Sequence, residues 1–436
     1  DPVDGYDVIS TIDVFIQDIA HHALLKQLEF YKADHGCVVV METKTGYIKA
    51  ISNLGKSEDG SYFETQNYAL TESHEPGSTF KLMDLIALID DKKADTSSVY
   101  NSNGGLVMIQ GRPVKDSNHH GYGIASLAKG FEVSSNTILV QATYQAYKNN
   151  PWQFINRINS YGLNKPLGLP IKGEGKSFIP YPGTARWSGT SLPWMAFGYG
   201  LSVTPLQTLT MYNAVANNGV MVKPIFVSEV KEWNKTIKKF NTEIINPKIC
   251  SQETLGKVQA VLENVVKKGT GSKLYSKDFS MSGKTGTAQV NYGKPDMYYA
   301  SSFVGYFPAV QPKYSCIVVI HKPDKTVGYY GADVSGPVFK RIAQKIFTDS
   351  PATNHVKNID AKVVTQENKY NSYYKEVVKE GQIVPNVKGM EAMDAIALLE
   401  NLGLKVKVVG IGRVKKQSIT SGQKFNKNQT IIIELS

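Results

Sequence analysis

The chain of 436 residues is long enough to bury one large core and to carry a small second module. With 42% hydrophobic and 20% charged residues it is not a largely disordered chain, and no apolar run approaches the ~18 residues that a membrane-spanning helix needs. Lys and Arg outnumber Asp and Glu by 49 to 38, which suits an anionic partner such as a wall polymer or a membrane surface, or a solvated basic face; that charge is spread out, with no Arg-rich run or aromatic stacking module, which argues against a nucleic-acid reader.

The first predicted element is a helix after Thr11-Ile12-Asp13, where Asp13 can cap and Phe15, Ile16, Ile19, Ala23, Leu24 and Leu28 trace an apolar stripe. Two β-rich runs, Cys37-Val38-Val39-Val40-Met41 and Tyr47-Ile48-Lys49-Ala50-Ile51, flank the turn signal Thr43-Lys44-Thr45-Gly46 and read as a hairpin. A polar loop over 52–75 leads to Pro76-Gly77 and an apolar helical stretch over 78–89. Several helices and loops follow. Strand signals return at Thr287-Ala288-Gln289-Val290, over 299–309 and at Cys316-Ile317-Val318-Val319-Ile320, and a helical pattern covers 337–347. Strands near both ends with helices between them predict an α/β (α+β) fold whose sheet is assembled from distant parts of the chain. The polar composition over 351–380 reads as a linker between a large domain, 1–350, and a small one, 381–436. Cys37 and Cys316 sit inside strand-like runs as small hydrophobes; with Cys250 they are too few and too scattered for a disulfide framework.

Three short motifs carry the chemistry. In Ser78-Thr79-Phe80-Lys81, at a helix start after Glu75-Pro76-Gly77, serine and lysine three residues apart share a helix face. A serine hydroxyl is a poor nucleophile until a neighbour takes its proton, and Lys81 can do so if burial lowers its pKa. A capping serine followed by a surface lysine accounts for this motif on its own equally well. In Ser134-Ser135-Asn136, hydroxyl and amide two residues apart can relay a proton and hold a substrate amide, or simply cap a helix. In Ser282-Gly283-Lys284-Thr285-Gly286-Thr287, glycines let a substrate backbone approach an edge strand while Lys284, Thr285 and Thr287 grip a terminal carboxylate. Gly-Lys-Thr is not a phosphate loop, because the position five residues before Gly283 is Asp278, and no Gly-x-Ser-x-Gly elbow occurs.

In this order, Ser-x-x-Lys, Ser-x-Asn and Lys-Thr-Gly are the signatures of penicillin-binding proteins and serine β-lactamases. From Thr11-Ile12-Asp13 to about Phe347 the chain resembles the transpeptidase domain of class B penicillin-binding proteins, with support from Gly198-Tyr199-Gly200, Val203-Thr204-Pro205-Leu206-Gln207, Lys268-Gly269-Thr270-Gly271 and Gly305-Tyr306-Phe307-Pro308-Ala309. The tail, with Val384-Pro385-Asn386-Val387-Lys388-Gly389-Met390, a helix over 391–402 and alternating Thr430-Ile431-Ile432-Ile433-Glu434-Leu435, resembles a βαββ PASTA domain.

The resemblance implies a mainly antiparallel five-stranded sheet flanked by helices. It also implies a D,D-transpeptidase that cross-links peptidoglycan stem peptides ending in D-Ala-D-Ala and is acylated by β-lactams. By position, Ser78 attacks the penultimate D-Ala carbonyl, Lys81 takes its proton, Ser134 returns a proton to the departing D-Ala, and Asn136 holds the donor amide. Lys284, Thr285 and Thr287 hold the carboxylate along the strand at Gly286, and the backbone N–H groups of Ser78 and Thr287 form the oxyanion hole. No cofactor or metal is implied. Other wall-synthesis or division proteins are the implied partners, and the PASTA-like tail leans towards division. A membrane helix and a pedestal domain are expected upstream of Asp1, placing the chain on the outer face of the cytoplasmic membrane. A D,D-carboxypeptidase, β-lactamase or β-lactam sensor shares the three motifs, and a non-catalytic wall-binding scaffold is the remaining alternative. The histidines, including the pairs His21-His22 and His119-His120, show no zinc-like spacing, and His74 has no role in the family pattern.

Overall fold

The computed structural model describes residues 5–233, 235–349, 383–390, 392–410 and 412–436, which form two compact units divided at Pro351 and Ala352. The linker expected over 351–380 lies outside the described residues.

The first helix, α1 (Val14–Phe30), starts where its cap predicts: Asp13 accepts from the backbone N–H groups of Phe15 and Ile16. Ile16, Ala20, Ala23, Leu24 and Leu28 form its buried stripe, whereas Phe15 lies outside it, half exposed. The hairpin follows as β1 (His35–Glu42) and β2 (Ile48–Lys56), paired antiparallel. The expected loop over 52–75 is more ordered than its polarity implied. β2 runs on to Lys56, a two-residue strand β3 (Tyr62–Phe63) adds to it, and a one-turn helix covers Tyr68–Thr71.

Strands from the far end complete the sheet: β4 (Ser282–Val290), β5 (Tyr298–Phe307) and β6 (Tyr314–His321). The order is β4-β5-β6-β1-β2-β3, antiparallel throughout, so five long strands form the expected sheet and β3 extends its edge. Because side chains alternate across a strand, Cys37, Val39 and Met41 enter one core while Val38 and Val40 enter the other. The first core is closed by α2 (Lys81–Asp90), α3 (Asn136–Tyr147), α4 (Pro205–Ala216) and α5 (Gln252–Lys268). The second lies under α1 and α6 (Gly336–Asp349). A sheet covered on both faces needs near-continuous apolar strands, which is why the sequence shows runs such as Cys37-Val38-Val39-Val40-Met41 rather than alternation. All three cysteines are buried and free.

The small unit has a helix, α7 (Ala392–Asn401), and three strands, β7 (Lys405–Val409), β8 (Val414–Gln417) and β9 (Thr430–Leu435), with β9 central, parallel to β7 and antiparallel to β8. Among the described residues, the first strand of the expected βαββ order is a single bridge between Ile383 and Lys424, just before Pro385, which has no N–H to extend a ladder. Ile431 and Ile433 of β9 join Val384, Leu398, Leu399, Leu404 and Phe425 in a separate core.

Candidate active site

Ser78 sits in a 3-10 turn, Gly77–Thr79, immediately before α2, so the helix expected over 78–89 begins instead at Lys81. The turn is fixed from several sides. Thr79 Oγ1 donates to Pro76 O at 2.8 Å, Tyr212 Oη of α4 donates to Thr79 O at 2.8 Å, and Gly77 N–H donates to Gly198 O at 3.1 Å. Glu75 accepts from the Gly200 N–H at 2.8 Å, which ties the 198–200 loop to the segment before Ser78. Gly198 has φ +85°, and a Cβ there would lie 2.0 Å from Gly77 O, so only glycine allows this contact.

Lys81, the first residue of α2, is fully buried. Its Nζ donates to Ser134 O at 2.8 Å, to Asn136 Oδ1 at 2.7 Å and to Ser134 Oγ at 3.3 Å. Burial drives its pKa down to about 7, against the opposing pull of the Asp116 and Asp84 carboxylates. Asp84, one turn further on, is itself buried; burial raises its pKa, against two hydrogen bonds from Thr143 Oγ1 and the charge of Lys81.

Ser134 holds φ +59°, a left-handed conformation that strains a residue with a Cβ, and it is bracketed by Ser134 N–H to Phe131 O at 3.0 Å and Ser135 N–H to Gly130 O at 2.7 Å. Ser135 caps α3, accepting from Ile138 N–H. Beneath the loop Asp116 is buried and accepts from the backbone N–H groups of Asn136 (2.6 Å) and Thr137 (3.0 Å), from Ser135 Oγ (3.1 Å) and from Thr137 Oγ1 (2.8 Å). Asn136 Nδ2 in turn donates to Lys115 O at 2.9 Å.

The third motif lies on β4, the edge strand of the sheet, so one row of its backbone groups has no strand partner. Gln289 N–H donates to Tyr199 Oη on that open side at 2.8 Å, and residues two apart on a strand share an edge, so the Thr287 N–H faces the same way. At Gly286 a Cβ would lie 2.2 Å from Ser302 Oγ and 3.0 Å from Thr79 Cγ2, which shows how closely β4 packs on the Ser78 turn.

Ser78, Ser134, Asn136, Thr285 and Thr287 line one cavity of about 270 Å³, together with Ser117, Thr270, Lys273 and Asp333. It shares Asn136 and Thr287 with a second cavity of about 450 Å³ walled by Trp194, Phe197, Tyr199, Tyr292 and Tyr299. Lys81 and Lys284 lie behind this wall rather than on it. Lys284 is fully buried, its Nζ donates to Thr285 O at 3.1 Å and stands 5.7 Å from the centre of the Phe131 ring. Burial, reinforced by the charge of Lys81, holds its pKa well below the ordinary lysine value. Thr285 Oγ1 shares a 2.7 Å hydrogen bond with Thr270 Oγ1, and Thr287 Oγ1 accepts from Gly331 N–H at 3.0 Å.

Sequence reasoning missed Asp116, Asp84 and Lys273. Asp84 had a visible signal, an acidic residue inside an apolar helical stretch; Asp116 and Lys273 had none, since their roles depend on loops that meet only in the fold. Chemically, the cavity combines a serine at a turn, a buried amine tuned near neutrality, a second hydroxyl and amide on that amine, and an open strand edge. That set suits acyl transfer through a serine ester.

The family described as the penicillin-binding protein transpeptidase domain matches residues 36–344, and the PASTA domain family matches residues 382–436. Stage V sporulation protein D of Bacillus subtilis is 28% identical over the whole of this chain and 66% of its own length. The peptidoglycan D,D-transpeptidase FtsI of Buchnera aphidicola is 27% identical over 79% of this chain and 59% of its own length. The chain thus spans about two thirds or less of these relatives. Among solved structures, penicillin-binding protein 3 of Mycobacterium tuberculosis, in complex with aztreonam, superposes with a TM-score of 0.70 at 25% identity, over 80% of each chain.

Proposed function

Because the chain belongs to the penicillin-binding protein transpeptidase family, with a PASTA domain at its C-terminal end, we propose that it is a serine D,D-transpeptidase that cross-links peptidoglycan stem peptides through an acyl-enzyme on Ser78. The observation that carries this reading is Lys81, buried, held near a pKa of 7 and hydrogen-bonded to both Ser134 and Asn136 behind the cavity that Ser78 lines. As an ammonium Lys81 spends its three protons on those acceptors; as a free amine it has a lone pair to receive the Ser78 proton.

Ser78 Oγ then attacks the penultimate D-Ala carbonyl of the donor peptide, and the N–H groups of Ser78 and Thr287 stabilise the oxyanion, worth roughly 10²–10³ in rate per donor. Ser134 passes a proton from Lys81 to the leaving D-Ala nitrogen, and the C–N bond breaks to leave the ester. Asn136 positions the donor amide. The hydroxyls of Thr285 and Thr287 take the terminal carboxylate, and its arrival favours the charged form of Lys284 behind them. The aromatic-walled second cavity offers room for the acceptor peptide, whose amine gives up a proton to Lys81 as it attacks the ester; the acyl C–O bond breaks, Ser78 Oγ takes that proton back, and the new amide completes the cross-link.

A hydrolase must set a water against the ester with a base beside it. Of the carboxylates lining the two cavities among the described residues, Asp333 is paired with Lys273 at 2.7 Å and Asp116 is held by the backbone N–H groups of Asn136 and Thr137, which favours the transpeptidase over the hydrolytic alternatives. β-Lactams, which mimic the D-Ala-D-Ala end, are the proposed inhibitors. We place the catalytic unit outside the cytoplasmic membrane, where its substrate lies; among the described residues no helix is long and apolar enough to cross a membrane. We further propose division-type wall-synthesis proteins as its partners, a reading supported by the similarity to relatives named stage V sporulation protein D and FtsI. The test is a donor stem-peptide analogue ending in D-Ala-D-Ala, with an amine acceptor, followed by the release of bound penicillin. The reading predicts acceptor-linked product and penicillin release over many minutes; release within seconds, or hydrolysis alone, overturns it.

A further inference from the structure

A second cluster of titratable side chains lies away from the cavity. His35 opens β1, His321 closes β6, and Glu72 follows the one-turn helix Tyr68–Thr71, so three distant stretches of sequence meet. Glu72 Oε2 stands 2.9 Å from His35 Nε2 and 3.8 Å from His321 Nε2, and the three atoms all lie within 4.8 Å of one another. The two imidazole rings are stacked, 4.5 Å between centroids.

An ion pair between His35 and Glu72 accounts for those two groups and leaves His321 unexplained. His321 is 2% exposed, its Nδ1 is buried without a partner, and its Nε2 faces Glu72 from beyond hydrogen-bond reach. A buried imidazole nitrogen with no hydrogen bond, as at His321 Nδ1, loses its hydration and receives nothing in return.

We propose that His35, Glu72 and His321 form a site for a divalent cation of the zinc class, with water as fourth ligand. Two imidazoles and one carboxylate are a donor set that Zn²⁺ takes up tetrahedrally, and ligand atoms at zinc distances stand about 3.3 Å apart. The two spacings to Glu72, 2.9 and 3.8 Å, bracket that value, and because the rings are stacked with 11° between their planes, binding requires His321 to close on Glu72 and its ring to turn out of the stack. His35 Nδ1 is hydrogen-bonded to Asp34 Oδ2 at 2.8 Å, the outer carboxylate contact that typically orients a metal-binding imidazole. Glu72, 26% exposed, opens the fourth position to water. A bound cation would clamp the segment before Ser78 to the sheet: His74, two residues beyond Glu72, pairs its backbone with Val203, and Gly77 pairs with Gly198. Sequence spacing hides such a site because its ligands stand at 35, 72 and 321.

The test strips the full chain with a chelator, dialyses it against limiting ZnCl₂ and measures metal content and affinity. One zinc per chain is expected in the parent, lost in both His321→Gln and Glu72→Gln, with Asp34→Asn weakening affinity about 10- to 100-fold. Co²⁺ added to the parent chain should give the visible absorption of a tetrahedral site, which does not depend on how any variant folds. No stoichiometric zinc, no such absorption, or zinc retained by the folded Glu72→Gln variant would each overturn the site. β-Lactam acylation of Ser78, followed in parallel, reports on the transpeptidase reading separately, since a chain that acylates without binding zinc sinks only this proposal.

Discussion

Replacing Asp116 by Ala removes one buried acceptor from under the whole Ser134-Ser135-Asn136 loop. The hydroxyls of Ser135 and Thr137 stand 3.1 Å apart and can turn towards each other, but the backbone N–H groups of Asn136 and Thr137 cannot turn. Each stranded donor costs about 1–3 kcal/mol. Asn136 is only half buried, so water can reach its N–H and the pair falls in the lower part of that range. Losing the carboxylate at the N-terminus of α3 adds about 0.3–1 kcal/mol. The total is roughly 2–5 kcal/mol, readable by urea denaturation, and acylation by a fluorescent penicillin should slow by more than tenfold as Asn136 loses its place beside Lys81. Asp116→Asn keeps an acceptor oxygen for the backbone donors and removes the charge. Its stability should drop less, and the pH midpoint of acylation should move to lower pH, because the Asp116 charge raises the Lys81 pKa. An Asp116→Ala chain within about 0.5 kcal/mol of the parent, with unchanged acylation, would refute the reasoning.

The parent acylation rate should rise with pH through a midpoint near 7, where Lys81 becomes a free amine, and fall below it; a rate flat from pH 5.5 to 8.5 would remove Lys81 as the base. Gly198→Ala places a Cβ 2.0 Å from the backbone oxygen of Gly77 at a φ of +85°, so the Ser78 turn must shift. Its acylation rate should drop at least tenfold while Ser134 and Asn136 remain in place, and a stopped-flow rate equal to the parent's would show that the turn tolerates the displacement.

Local signals in the sequence were dependable where one element explains itself. Asp13 caps α1, the 43–46 turn joins β1 to β2, and Ser135 caps α3 as its motif allowed. The three motifs also meet at one cavity through Ser78, Ser134, Asn136, Thr285 and Thr287. What periodicity could not show is whatever depends on the crossing of distant segments. The order of 52–75 comes from pairing with β2 and from Asn53 Oδ1, which accepts from the Ala69 N–H of the short helix, rather than from any pattern within the stretch. The position of Lys284 behind the wall follows from its packing on Phe131, a residue more than a hundred positions earlier. The Glu72 and histidine cluster is of the same kind, as three segments bring to one point groups whose spacing in the sequence carries no information.

The central claim is that Ser78 forms the acyl-enzyme. Intact-mass spectrometry of the parent and Ser78→Ala chains after incubation with a penicillin, followed by peptide mapping, addresses it most directly. The account predicts one covalent adduct on the parent, mapped to the peptide holding Ser78, and none on Ser78→Ala. A parent chain left unmodified, or an adduct of equal yield on Ser78→Ala, would contradict it.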